Sequence, residues 1–175
     1  MMLKRSMFAL VLALLMLAIA SPSVAQPAVF LVRHAERADS APGTSATMGA
    51  DPDLSEAGRT RAESLATLLK DAKITAIFAT EFKRTQQTAA PLAKALGLTV
   101  KVIPSKSTAD LVKQVEATKG NALVVGHSNS VPDVIKALGI SMPVTIGDDD
   151  FDNLFIVNRG VSRGTASSLL RLHYR

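Results

Sequence analysis

The octapeptide FLVRHAER, residues 30–37, decides how the rest of this sequence is read. An apolar run over residues 28–32 delivers Arg33 and His34 at its carboxyl end, and Arg37 follows three residues after the histidine. A strand that stops on Arg-His is not building core. In open α/β sheets, ligands gather in the crevice beyond the carboxyl ends of the strands, where Arg33, His34 and Arg37 would be held. Two guanidiniums beside an imidazole suit a dianion, because each planar, permanently charged fork matches phosphate oxygens bidentately. The same cations disfavour a protonated ring and keep His34 neutral and nucleophilic near pH 7. Taken alone, Arg-His-x-x-Arg reads equally well as a strand ending in solvated charges.

It does not stand alone. LSEAGRTRA at 54–62, TEFKRTQQTA at 80–89 and VVGHSNSVP at 124–132 follow in order. With the first stretch, this series resembles the histidine phosphatase superfamily, in the branch that contains phosphoglycerate mutases and small phosphatases and whose first strand ends in Arg-His-Gly. Ala35 stands here in place of that glycine, small enough for phosphate to approach closely. The resemblance implies a phosphoglycerate mutase-like α/β fold, a three-layer sandwich with a central, mostly parallel sheet flanked by helices. It implies His34 as the nucleophile that forms a phosphohistidine, with Arg33, Arg37, Arg84 and His127 holding the phosphoryl oxygens.

Composition narrows the alternatives. Lys4 and Arg5, an apolar stretch over residues 7–20 and the small residues Ser23-Val24-Ala25 read as a signal peptide over 1–25, cleaved near Ala25. The apolar stretch is shorter than the ~20 residues a membrane span needs, so no stable span is expected after cleavage. Residues 26–175 are then expected to form one domain, exported to the periplasm or secreted. Without Lys4 and Arg5 the formal charge falls from +5 to +3, too mild to argue for nucleic acid in a chain with one Tyr and no Trp. The absence of cysteine excludes disulfides and thiol catalysis. Three histidines, two of them claimed by the phosphate site, make a zinc centre unexpected, and no cofactor is implied.

Along the chain, residues 38–53 lack an apolar period and read as a loop leaving the catalytic strand end to cover the site. Its acids Asp39, Asp51 and Asp53 read as capping and solvating groups. Ser55 is an N-cap for a helix over 56–70, on which Arg59 and Arg61 read as surface charges. A strand is expected at 74–79. Arg84 then opens a helix that ends at Gly97 and that Pro91 should kink or divide. Arg84 is a cation near a helix start, a placement easier to understand if a bound anion compensates it. A strand at 98–103, a helix at 107–119 and a buried strand at 122–125 lead to Gly126, expected to let a ligand approach, and His127. Ser130 and Asp133 read as the capping box of the next helix, whose amino end would face the crevice. Strands at 154–157 and 168–174 close the domain, around a turn at 158–165. The aspartates at 148–150 lack an EF-hand pattern and read as solvated, and His173 as structural.

The leaving oxygen needs a proton, and three carboxyls are candidates for the general acid. Asp110 has nearly the spacing from Arg84 that the resemblance implies, although Ser107-x-x-Asp110 is also a capping box, the preferred reading. Glu36 and Glu81 each adjoin a pocket residue. The expected activity is metal-independent phosphomonoester hydrolysis through a phosphohistidine, of the histidine acid phosphatase type. Its substrate would be a small sugar, lipid-headgroup or cell-envelope phosphate, with inorganic phosphate as product. The alternatives are a catalytically silent phosphate-binding module and, less favoured for a chain this short and exported, a phosphoglycerate mutase.

Overall fold

A computed structural model of the chain describes residues 27–40, 51–159 and 167–174. The expected signal peptide, most of the expected covering loop (41–50) and most of the expected turn at 158–165 lie outside the described residues.

Six strands form one sheet in the order β3-β2-β4-β1-β5-β6. They are β1 (Ala28–Arg33), β2 (Ile74–Ala79), β3 (Val100–Val102), β4 (Asn121–Gly126), β5 (Asn153–Asn158) and β6 (Ser168–His173). The pairs β1/β4, β2/β4 and β2/β3 are parallel, whereas β5 runs antiparallel to both β1 and β6. Among the described residues, four α-helices connect the strands: α1 (Glu56–Leu69), α2 (Lys83–Leu96), α3 (Thr108–Glu116) and α4 (Ser130–Ala137).

Strand alternation sorts these helices into two layers, because successive side chains point to opposite faces. Val29, Leu31, Ala122, Val124 and Phe155 pack on one face against Val115 of α3 and Val131, Val134 and Ile135 of α4. Phe30, Val32, Leu123 and Val125 pack on the other against Leu65 and Leu69 of α1 and Ala89 and Leu92 of α2. Helices on both faces explain why β1 and β4 are continuous apolar runs instead of alternating ones. The expected three-layer α/β sandwich is the observed fold.

Some local expectations are corrected. Helix α2 continues through Pro91 without division, because buried Ala89, Leu92 and Ala93 pin the turns on either side of it. Neither proposed capping box forms: Ser107 makes no side-chain cap hydrogen bond, and the residue at the cap of α4 is Asn129. Ser130 Oγ instead accepts the His127 amide at 2.9 Å. Gly126 serves packing: a Cβ there would meet Ser130 Oγ at 2.9 Å and the Val131 side chain at 3.0 Å, so this glycine lets β4 lie against α4.

The topology decides where a ligand can bind. From β1 the chain crosses to β2 through α1 on one face, and from β4 it leaves through α4 on the other. Adjacent strands whose connections depart in opposite directions open a crevice at their carboxyl ends. Arg33 is paired with Gly126 across β1 and β4, so His34 and His127 are the next residues out, on opposite sides of that crevice.

Candidate active site

His34 is 5% exposed, and its ring is held at both ends of its own backbone. Its amide donates to the Gly126 carbonyl at 2.9 Å. Its Nδ1 lies 2.8 Å from the Ala35 carbonyl, which can only accept, so Nδ1 carries the ring proton and Nε2 keeps the lone pair. Burial pulls the imidazole from its usual value near 6.5 down to about 3, with His127, Arg33 and Arg84 acting in the same direction against the Ala35 bond. The ring is therefore a neutral base at pH 7. Ala35 itself is fully buried against Leu54 and Ala62, and its amide donates to Thr88 Oγ1 at 2.9 Å. Its smallness thus serves the packing of α1 beneath the strand end.

The His127 ring centroid lies 5.3 Å from that of His34 in an edge-to-face arrangement. Burial also depresses its pKa, to about 4, followed by the effect of Arg84. Its Nε2 is 2.9 Å from Thr80 Oγ1, which is 2.9 Å from Thr85 Oγ1. Both threonines are buried.

Two arginines bracket the histidines with unused donors. Arg33 Nη1 donates to the carbonyls of Gly147 and Asp148, at 2.7 Å each, and its guanidinium lies 4.1 Å over the Phe151 ring. Arg84 lies 4.3 Å over Phe82, with Nη1 3.5 Å from Asp51. In both arginines Nε is buried and has no hydrogen-bond partner. Buried donors are almost always satisfied, so a matched pair of orphans beside a depressed imidazole marks a place for an anion's oxygens. Arg37 differs: its Nε and Nη2 both reach Asp39 at 2.7 Å, which commits the fork that the sequence reading assigns to phosphate. Arg33, His34 and Arg37 face an open cleft of about 730 Å³ walled by Glu56, Asp149 and Phe151.

Of the loop acids, Asp51 caps α2, Asp53 is tied to the side of that helix, and Asp39 pairs with Arg37. Asp51 accepts the Lys83 amide through both oxygens at 3.0 Å, so the anion that offsets Arg84 at the start of α2 is a residue of the chain. Asp53 accepts from Gln87 at 2.8 Å.

Glu36 is gripped by Arg61, with Nη2 to Oε1 at 2.6 Å and Nε to both oxygens at 2.9 Å. Burial works against the Glu36 charge, yet the Arg61 hydrogen bonds prevail and hold its pKa below the usual carboxylate value. Glu81 accepts from the Ser105 amide at 2.7 Å and the Ser105 hydroxyl at 2.9 Å. There too the hydrogen bonds outweigh desolvation and keep the carboxyl ionised. Asp110 is exposed on the first turn of α3; like Arg84 and His127, it is not among the residues that wall the cleft.

Sequence reasoning misses several residues. Arg61 is a clamp, donating also to the Tyr174 carbonyl at 3.2 Å, and is no free surface charge; Arg59 donates to the Leu54 carbonyl at 2.8 Å. Phe151 and the 147–148 carbonyls, which fix Arg33, lie in a stretch without any period. Thr80, Thr85 and Thr88 carry a readable signal. Thr85 and Thr88 fall on the stripe of α2 that also bears Ala89 and Leu92, so their hydroxyls had to be buried.

Residues 29–106 match the family model described as "Histidine phosphatase superfamily (branch 1)", a span that holds the first three motifs and ends before His127. No curated protein matches the chain by sequence. Among solved structures, a mycobacterial glucosyl-3-phosphoglycerate phosphatase superposes with a TM-score of 0.66 at 15% identity, covering 84% of this chain and 98% of its own. Its complex with inorganic phosphate gives 0.65 at 16% identity, covering 82% and 95%. The protein histidine phosphatase SixA, complexed with tungstate, gives 0.63 at 17% identity, covering 83% and 96%. At such identities these neighbours establish the shared fold. Residues 29–106 thus match the histidine phosphatase superfamily, branch 1, and the chain has the fold that these phosphatase structures share.

Proposed function

We propose that this chain is a metal-independent phosphomonoesterase that works through a phosphohistidine on His34. The observation that carries the reading is the pair of orphaned, buried Nε donors of Arg33 and Arg84, two arginines whose charges act on an imidazole with its lone pair confined to Nε2. The match of residues 29–106 to the histidine phosphatase superfamily and the phosphatases among the structural neighbours support it.

Phosphate oxygens occupy the free donors of Arg33 and Arg84, and His127 flanks them. Arg37 joins by exchanging Asp39 for an oxygen. His34 Nε2 attacks phosphorus in line with the leaving oxygen, and the Ala35 carbonyl keeps the imidazolium that develops oriented through Nδ1. Charge accumulates on equatorial oxygens already surrounded by cations, where preorganised donors are worth most. Water then releases phosphate. The region around Arg33 and Arg84 takes one phosphoryl group, and the open cleft leaves room for a small polar leaving group. Removal of residues 1–25 on export would direct the enzyme to sugar, lipid-headgroup or cell-envelope phosphates.

The deciding experiment is hydrolysis of an aryl phosphate by residues 26–175 in excess chelator, beside His34→Ala. Chelator-resistant turnover that vanishes in the variant is expected. Absence of turnover, with phosphate or vanadate still bound, would reassign the chain as a phosphate-binding module.

A further inference from the structure

The two site histidines are protonated on opposite nitrogens, and the cause lies in a row of hydroxyls beneath His127. Thr85 Oγ1 sits 2.8 Å from the Phe82 carbonyl and 3.1 Å from the Thr80 carbonyl. A carbonyl only accepts, and a hydroxyl has one proton, so the Thr85 proton is spent on these carbonyls. The 2.9 Å contact between Thr85 Oγ1 and Thr80 Oγ1 must then use the Thr80 proton. With that proton spent, Thr80 Oγ1 can meet His127 Nε2 at 2.9 Å only as an acceptor. Donation runs one way, from His127 Nε2–H through Thr80 and Thr85 to a backbone carbonyl. The opposite polarity would set the Thr85 oxygen against two carbonyl oxygens with no proton between them. Buried as they are, these hydroxyls have no water to rescue that arrangement.

We propose that Thr80, backed by Thr85, is a positioning residue that commits the His127 proton to Nε2 and thereby makes Nδ1 the nitrogen that exchanges protons with the substrate. The inference rests on the phosphatase reading above and supplies the proton that reading lacks. Glu36 and Glu81 are held ionised by Arg61 and Ser105, and Asp110 is exposed on the first turn of α3.

A phosphomonoester monoanion brings a proton on a phosphoryl oxygen. Passed to Nδ1, it converts His127 to an imidazolium whose other proton stays on Thr80. As the His34 Nε2 lone pair forms the N–P bond, the bond from phosphorus to the leaving oxygen breaks. Its electron pair stays on that oxygen, which takes the Nδ1 proton and departs as a neutral alcohol. In the second step Nδ1 takes a proton from the attacking water as the new P–O bond forms and the N–P bond returns its pair to His34; that proton leaves with phosphate. His127 is neutral again, with Nε2–H still on Thr80.

Two measurements test this. The first compares an aryl phosphate with an acidic phenol leaving group and a simple alkyl phosphate. Thr80→Val should lower kcat/KM, which reads only the steps through departure of the alcohol and not the water step common to both esters, by about 10²-fold for the alkyl ester, the scale of a lost general acid, while the aryl ester, whose oxygen departs without a proton, loses less than ~5-fold. Thr80→Ser restores the hydroxyl and should recover the alkyl rate. Equal losses on both esters, or no loss, would overturn the proposal in favour of a purely structural threonine. The second is nitrogen NMR of ring-labelled histidine in the free, folded protein at pH 7, which needs no turnover. His34 should show the Nδ1–H pattern and His127 the Nε2–H pattern, with the latter lost in Thr80→Val. An Nδ1–H pattern at His127, or an Nε2–H pattern that survives in Thr80→Val, would overturn the proposal. Wild-type protein that hydrolyses neither ester while showing the expected ring patterns would instead refute the phosphatase reading and leave Thr80 as the residue that sets the tautomer.

Discussion

The α-carbon of Gly58 on α1 lies against the backbone of Glu36, so close that a methyl group placed on it would overlap the Glu36 carbonyl oxygen and stand 3.0 Å from the Glu36 nitrogen. That carbonyl also accepts the Ser55 amide at 2.9 Å, so the segment just past His34 is fastened to the first turn of α1 at two points.

Gly58→Ala should therefore destabilise the protein, despite alanine's better helix propensity, by about 1–3 kcal/mol, the usual cost of forcing a methyl into a packed site. Urea or thermal denaturation would measure it. A gain in stability would mean that α1 moves away from the strand end freely, and that the glycine has no packing role.

The Arg61–Glu36 pair is predicted to be coupled. Its side chains are 22% and 19% exposed and share several charge-assisted bonds. Arg61→Met or Glu36→Gln alone should cost about 1–3 kcal/mol, with the double variant well short of the sum. Because Glu36 titrates below its usual value in the folded chain, its contribution is present above the unfolded value and fades as pH falls through the folded one. A double-mutant cycle at neutral and at strongly acid pH should show the coupling in the first and lose it in the second.

Phe151 fixes Arg33 from below while two carbonyls hold it from the side. Phe151→Ala should raise KM for a phosphate ester, or Kd for inorganic phosphate, by about 3–10-fold, from the ~1 kcal/mol a cation–π contact contributes. The fold should remain intact by circular dichroism. An unchanged Kd would show that the carbonyls alone suffice to place Arg33.

Acid should weaken the fold through the histidines before it protonates them in the folded chain. His34 and His127 titrate near 3 and 4 when folded but near 6.5 in an unfolded chain. The unfolded state therefore binds protons first, and stability falls as pH drops from about 6.5 toward 3. Denaturation midpoints across that range should decline, less steeply in His34→Gln. Ring NMR should find both imidazoles still neutral at pH 5. Titration of either ring near 6.5 would contradict the burial seen here.

The layers, the strand positions and the location of the crevice were legible in the sequence because apolar continuity in residues 28–32 and 122–125 has one explanation, a strand covered on both faces. The positions of Arg33, His34 and His127 at strand ends and of Arg84 at a helix start were legible for a related reason: they interrupt otherwise apolar or capping patterns. What escaped depends on long-range geometry. Nothing local tells that Arg61 will meet Glu36 25 residues away, or that the carbonyls of Gly147 and Asp148 will reach Arg33 from more than a hundred residues downstream. The hydroxyls failed for another reason. Threonine in a helix is read as a propensity defect, and only its position on the buried stripe reveals that it has work below the surface.

Strands β1 and β4 touch directly, yet the Ala28–Asn121 contact between them spans 93 residues of sequence. Loop closure over that distance is slow, and partnerships of this range form late in folding. A nascent chain that has released His34 but not yet His127 thus has one wall of the crevice without the other and an Arg33 without its loop. On the proposed function, ester hydrolysis is absent from every such incomplete molecule, and its recovery after dilution from denaturant would time the docking of the sheet's two central strands.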